Sequence, residues 1–280
     1  MQPTVAQSFA KRPLHRVAGH FGEWLQGRLG PQGPVVLVTM ACDAVYAEAT
    51  FEPAQTLQLH QPTPTVVTQE QLHHLLRRAG RPEHGLFLLS GTAPPGAGAG
   101  ASTAALVALA RAAGTAEDLI ADACLAAEGA SDPLMLPAPD CVLWASRRAQ
   151  VLRHFPAPPR CEIIGGYLGS PYRTDPEDHN FADISDLIPR WQNATETGDL
   201  PALAALASES ADRTTQHRGP FRDPTAGIAH QLGALGHARA HTGSARALIF
   251  APGTVPRGAH TVLERSGLRN PIQFMTGQDR

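Results

Sequence analysis

The chain of 280 residues has almost no lysine: Lys11 is the only one, and arginine supplies the other positive side chains. Any basic contact to a phosphate or carboxylate therefore falls to arginine, whose planar fork suits such anions. An excess of one charge is also lacking, the formal net charge being -2 at pH 7. That gives no electrostatic support for a nucleic-acid partner or a polybasic membrane contact. Cysteines are few and scattered, at Cys42, Cys124, Cys141 and Cys161, with no Cys-x-x-Cys pair. A chain this long does not need disulfides, so reduced thiols in a cytoplasm are expected. No apolar run is long enough to span a bilayer, and no apolar core of a signal peptide follows Lys11 and Arg12. The expectation is a cytoplasmic protein without a membrane partner.

What is present is a glycine-rich loop running into a helix: Pro94-Pro95-Gly96-Ala97-Gly98-Ala99-Gly100-Ala101-Ser102-Thr103-Ala104-Ala105. Glycine at 96, 98 and 100 removes the Cβ atoms that would keep a backbone away from an anion. Ser102 and Thr103 stand where a helix is expected to begin, and Ala104 to Ala110 is a strong helix former. Unpaired amides and the partial positive charge of a helix N-terminus suit a phosphate. A Walker loop would end in Gly-Lys-Ser/Thr, and no lysine follows Gly100. A dinucleotide fingerprint would place the third glycine one position later, with an acidic residue after a second strand. The plainer alternative, a Gly/Ala/Pro linker, does not account for the helical run that follows.

Elsewhere strands and helices alternate loosely, as in an α+β protein of two-layer halves. Residues 1–13 read as a loose arm. Val35–Met40 and Ala44–Phe51 read as two strands, and Gly85–Ser90 as the strand feeding the glycine loop. A helix is expected from Gln69 to Ala79, stopped by Gly80. A second is expected from a Thr115 cap, with Asp118 near its start, to Ala127. Prolines between Phe155 and Cys161 mark a boundary that divides the chain into 1–155 and 156–280. Beyond it Glu162–Tyr167, Ala245–Phe250 and Pro271–Met275 read as strands, with helices near 183–192, 200–214, 224–240 and from Gly258 to Ser266.

Three segments in order now carry a resemblance: Gly22-Glu23-Trp24-Leu25-Gln26-Gly27, the glycine loop, and His241-Thr242-Gly243-Ser244-Ala245. The set resembles the GHMP kinase superfamily, and most nearly the L-threonine kinases of propanediol utilisation and cobalamin synthesis. Their loop reads roughly Pro-Ile-Gly-Lys-Gly-Met-Ala-Ser-Ser-Thr-Ala-Asp, which Gly96, Gly98, Ser102, Thr103 and Ala104 match. Their first motif, Cys-Gly-Glu-x-x-Gln-Gly, is matched by Gly22, Glu23, Gln26 and Gly27. The resemblance implies the α+β GHMP kinase two-domain fold, with an N-terminal ribosomal S5-like half carrying the phosphate loop and a C-terminal ferredoxin-like half. It implies ATP and Mg²⁺ as cofactors, a small-molecule partner, and a monomer or homodimer. The implied reaction is phosphoryl transfer from ATP to an alcohol, L-threonine first among acceptors and homoserine or another small hydroxylated metabolite next.

The residues take roles accordingly. Pro95, Gly96, Ala97, Gly98, Ala99, Gly100, Ala101, Ser102 and Thr103 would cradle the ATP phosphates, and the Ser102 hydroxyl would reach Mg²⁺ or a phosphate oxygen rather than serve only as a helix cap. Glu128, in Glu128-Gly129-Ala130-Ser131-Asp132-Pro133, matches a segment whose glutamate ligates Mg²⁺ in homoserine-kinase-like members, in keeping with that ion's need for hard oxygen donors. Asp132 would orient or deprotonate the acceptor hydroxyl; a solvent-facing helix end is the alternative for both carboxylates. Glu23 and Gln26 are expected at the substrate, unless they bond only backbone at a strand-to-turn junction. Thr242, Gly243 and Ser244 would close behind the phosphate loop, unless they form only a tight turn. Arg213, Arg218 and Arg246 are candidates for a substrate carboxylate, among which the sequence does not choose; His20 could face the same cleft, but an isolated histidine is more often structural than catalytic. Phe21 stands where the branch has cysteine, and Ala97, Ala101 and Ala105 replace lysine, serine and aspartate. These departures leave open a different acceptor, or a ligand-binding regulator without turnover.

Overall fold

The computed structural model describes residues 13–172, 175–220 and 222–278. Most of the arm expected over 1–13, with Lys11, lies outside them. The strands are β1 (His15–Arg28), β2 (Val35–Glu52), β3 (Leu57–His60), β4 (Gly85–Gly91), β5 (Val142–Ala145), β6 (Gln150–His154), β7 (Cys161–Leu168), β8 (Gly236–Arg239), β9 (Ala245–Phe250) and β10 (Leu268–Thr276). The helices are α1 (Gln69–Arg78), α2 (Ala101–Ala112), α3 (Glu117–Glu128), α4 (Leu187–Thr197), α5 (Leu200–Arg218), α6 (Thr225–Leu232) and α7 (Ala259–Arg265).

The strands join into one sheet of order β10-β7-β9-β8-β1-β2-β4-β3, with the β5–β6 hairpin attached to β2. Every pairing is antiparallel except β3 with β4. The first and second parts of the sheet meet at β1 and β8 through a single residue pair, Glu23 with Arg239. Helices α1, α2 and α3 pack on one another and cover β1, β2 and β4. Helix α2 is apolar around most of its circumference and is buried accordingly, from Thr103 to Ala110. Helix α5 covers β1 and β8, α6 packs on β8 and β9, and α7 on β7 and β10. No described helix is long and apolar enough to cross a membrane. All four cysteines are free thiols.

Several expectations change in the structure. The two strands expected at 35–40 and 44–51 are one continuous β2, because its middle remains paired to β1 through Cys42 and Ala41. The helix expected over 224–240 ends at Leu232: Gly233 takes φ +68° as its cap, and Gly236–Arg239 pairs with β9 instead. The helix expected near 183–192 begins at Leu187 and runs to Thr197. Thr115 does not cap α3; Ala116 holds that position, and the Thr115 hydroxyl is buried without a hydrogen-bond partner among the described residues. Strands β3, β5 and β6 are too short or too polar to have been read from the sequence. Phe21 is fully buried between Tyr167 and Phe274, with ring centroids 5.3 and 5.8 Å away. It fills the core.

Candidate active site

The glycine loop lies across the junction of β1 with the segment between β8 and β9. Gly96, Gly98 and Gly100 all take positive φ, at +72°, +73° and +68°, a backbone conformation that other residues rarely adopt. The residues between them anchor the loop to the sheet: the Ala97 carbonyl accepts from Ala245 N at 2.8 Å, and the Ala99 carbonyl from His20 N at 3.3 Å. Gly98 packs against Gly243, so the third motif forms the floor of the loop. Gly100 is the N-cap of α2 and supplies no side-chain bond, which leaves the first-turn amides at 101–103 without intrahelical partners.

Ser102 and Thr103 therefore do not cap the helix. Ser102 Oγ donates to Glu128 Oε1, and Thr103 Oγ1 lies 3.4 Å from Glu128 Oε2 and 3.3 Å from Asp132 Oδ2. Glu128 ends α3, where the helix dipole disfavours a carboxylate, but it faces the N-terminus of α2, whose dipole favours one. Asp132 follows on a turn fixed by Trp144 Nε1 donating to the Ser131 carbonyl at 2.7 Å and by Ser131 N donating to Ser146 at 2.9 Å. Ser102 and Glu128 offer hard oxygen donors side by side, a donor set that suits Mg²⁺.

These groups line a cleft of about 170 Å³, together with Pro95, Gly96, Gly98, Gly100, Ala101, Glu23, His20, Arg147, His241 and Thr242. Gln26 is not part of that lining: its side chain is buried and donates to the Arg239 carbonyl at 3.1 Å. Ser244 is buried behind the cleft, and its carbonyl accepts from Leu168 N. Of the altered loop residues, Ala97 and Ala105 are buried in the core, and Ala101 alone reaches the cleft.

The candidate arginines lie elsewhere. Arg213 is held by Asp186 and Glu209, Arg218 by Asp178, and Arg246 by Asp223 at 2.6 Å. The arginine in the cleft lining is Arg147, at the end of β5, which donates to the carbonyls of Pro176 and Asp175 at 3.0 and 3.1 Å. Nothing in the local sequence Ser146-Arg147-Arg148 marks it.

The cleft also holds His20, which the sequence favoured as structural, and His241, to which it gave no role. His241 stacks on Phe181 with centroids 4.0 Å apart, and neither of its ring nitrogens has a partner among the described residues. Burial, assisted by Arg147 and Arg218, pushes it down to about 3, so it enters the cleft as a neutral imidazole. His20 lies between two carboxyl groups, with Nε2 3.3 Å from Asp132 Oδ2 and Nδ1 3.4 Å from Glu23 Oε1. Burial alone would depress His20, but Glu23 and Asp132 push it up to about 9. Burial raises Glu23 to about 8. Burial would also raise Asp132, yet His20 holds it below its ordinary value.

No protein-family model and no curated protein matches the chain. Solved structures do. Mevalonate kinase from L. major, in complex with R-mevalonate, superposes with a TM-score of 0.66 at 14% identity, covering 99% of this chain and 98% of that one. Homoserine kinase from Cytophaga hutchinsonii gives 0.62 at 12% identity, with 99% and 98% covered. Phosphomevalonate kinase from Streptococcus pneumoniae gives 0.63 at 11% identity, with 94% and 99% covered. The likeness is one of fold over the whole chain: this protein has the α+β two-domain fold of the GHMP kinases.

Proposed function

We propose that the protein is a Mg²⁺- and ATP-dependent small-molecule kinase that phosphorylates an acceptor hydroxyl. The observation that carries this reading is the run of oxygen donors Ser102, Glu128, Thr103 and Asp132 at the N-terminus of α2, directly beside the glycine loop. The loop and first-turn amides of α2 would bind phosphate oxygens. Ser102 and Glu128 would hold Mg²⁺, which when bound neutralises phosphate charge. Asp132 would accept the proton of the acceptor hydroxyl as that oxygen forms its bond to the γ-phosphorus and the bond from phosphorus to the ADP oxygen breaks.

The acceptor proposed is L-threonine, giving O-phospho-L-threonine. Its support is the likeness of the loop and first motif to the L-threonine kinases, joined by Arg147, a guanidinium in the cleft lining suited to an amino-acid carboxylate. Glu23, Thr242 and His241 would complete the acceptor subsite. The fold likeness to a homoserine kinase makes L-homoserine the second reading.

ADP release from Mg-ATP is the test, with L-threonine, L-serine, L-homoserine and mevalonate offered separately. The expected result is the highest kcat/KM with L-threonine, abolished by Asp132→Asn. Preference for L-homoserine would overturn the acceptor and keep the kinase. ADP release with none of them, while ATP still raises the melting temperature, would favour a ligand-binding regulator on this fold.

A further inference from the structure

His20 is buried on β1 with a carboxyl group at each ring nitrogen, Asp132 on one side and Glu23 on the other. A neutral imidazole carries one N–H, whereas an imidazolium presents one on each side: here Nε2 is within hydrogen-bond reach of Asp132, and Nδ1 meets Glu23 at ion-pair distance without a hydrogen bond. Among the described residues His20 is the one ion-pair partner of Asp132. The described residues include no lysine, Lys11 being the chain's only one.

Regular strand geometry would not build this arrangement. Residues three apart in a strand point to opposite faces. Between His20 and Glu23 the register of β1 on β2 shifts, and Gly22 takes φ +78°, so both side chains turn to the same place. The ring is also keyed to the phosphate loop: a Cβ on Gly100 would fall 2.6 Å from His20 Cδ2.

We propose that His20 is the positioning residue of the transfer site, an imidazolium that fixes the Asp132 carboxylate and supplies its counter-charge. This rests on Asp132 being the group that takes the acceptor's proton. The charge state follows from the whole neighbourhood. Burial opposes a charge on Glu23, whereas His20 and Asp132 each favour the other's charged form. His241, uncharged, and Arg147, cationic, also act on Asp132, and Thr39 lies beside Glu23. His20 does not touch the acceptor in this arrangement. It sets the direction of the Asp132 oxygen and keeps that oxygen free of a proton until the acceptor provides one.

The test is the pH dependence of kcat for the wild type, His20→Gln and His20→Ala with the best acceptor, joined to an NMR titration of the His20 ring. His20→Gln is expected to lower kcat by about 10²-fold with little change in the KM for ATP. Its acid limb is expected at higher pH, because Asp132 loses the neighbour that holds its proton affinity down. Added imidazole is expected to restore part of the His20→Ala turnover and none of that of Asp132→Asn. The ring of His20 is expected to titrate near 9 in the wild type and lower in Asp132→Asn. A His20→Gln enzyme with wild-type kcat and acid limb would overturn the role of His20 alone. So would a ring that titrates near 6.5 and ignores Asp132→Asn, whether or not any acceptor is turned over. A wild type that turns over no acceptor would instead overturn the kinase reading on which the role rests.

Discussion

Gly98 and Gly243 meet with almost no space between them: a Cβ on Gly243 would fall 2.2 Å from the Gly98 nitrogen. A Cβ on Gly98 would lie 3.1 Å from the Gly243 Cα and 2.2 Å from the Ala240 Cβ. The loop after β4 and the turn before β9 are thus a single packed unit. Gly243→Ala must push the two apart and is expected to destabilise the protein by about 1–3 kcal/mol, and to weaken ATP binding with it. Gly227→Ala provides the contrast. Gly227 lies within α6 with open space around its Cβ, so alanine there is expected to raise stability by up to about 1 kcal/mol. Thermal melts with and without Mg-ATP check both.

Ser102→Ala and Glu128→Gln remove either side of the proposed Mg²⁺ site. Both residues are only partly buried, and neither change opens a core cavity, so melting temperature without ligand is expected to stay close to wild type. The Mg²⁺ concentration for half-maximal turnover is expected to rise severalfold in each. Wild-type turnover and Mg²⁺ dependence in both variants would refute the assignment.

Arg147→Met tests the acceptor subsite. A charge-assisted hydrogen bond to a carboxylate is worth roughly 1.5–3 kcal/mol, so KM for L-threonine is expected to rise about 10- to 100-fold. KM for ATP is expected to change much less. Arg147→Lys is not expected to restore the wild-type value, because an ammonium cannot reproduce the fork that also holds the 175–176 carbonyls.

Stability should respond to pH through the buried triad. His20 binds its proton more tightly folded than unfolded, so its contribution is complete below about 6.5 and lost as pH rises through about 9. Glu23, raised to about 8, acts in the same direction. His241 acts oppositely: it stays neutral in the folded state down to about 3, so folding loses ground as the unfolded chain protonates below about 6.5. Melting temperature is therefore expected to fall between pH 6.5 and 9, and His20→Gln is expected to flatten that fall. A wild-type melting temperature that holds level or rises over this range would refute the charge assignment.

Much of this was legible in the chain because it depends on neighbours in sequence. Alternating glycines before an alanine-rich run indicate a loop that can approach an anion ahead of a helix expected to begin at Ser102-Thr103; in the structure the three glycines take positive φ and the helix begins at Ala101. The run Ala245–Phe250 became β9 with the bounds its composition predicts. Ser102, Glu128, Asp132, Glu23 and Thr242 were named from motifs and lie along one cleft. Gln26 belongs to the same motif as Glu23, yet the pairing of β1 with β8 turns it to the Arg239 carbonyl instead.

The sequence by itself determined where the backbone must bend to approach an anion and which stretch could follow as a helix, because those preferences are set within a few residues. It also pointed to arginine as the cation for a phosphate or carboxylate, and left out the histidine that stands at Asp132. Only the tertiary structure decided which arginine. Arg147 enters the cleft while Arg213, Arg218 and Arg246 are held by aspartates brought from elsewhere in the chain. His20 meets Asp132, 112 residues away, and Glu23 joins them because a register shift and a left-handed glycine in β1 break the strand's alternation. Pairing between distant segments, unlike local backbone preference, is settled by how the whole sheet closes.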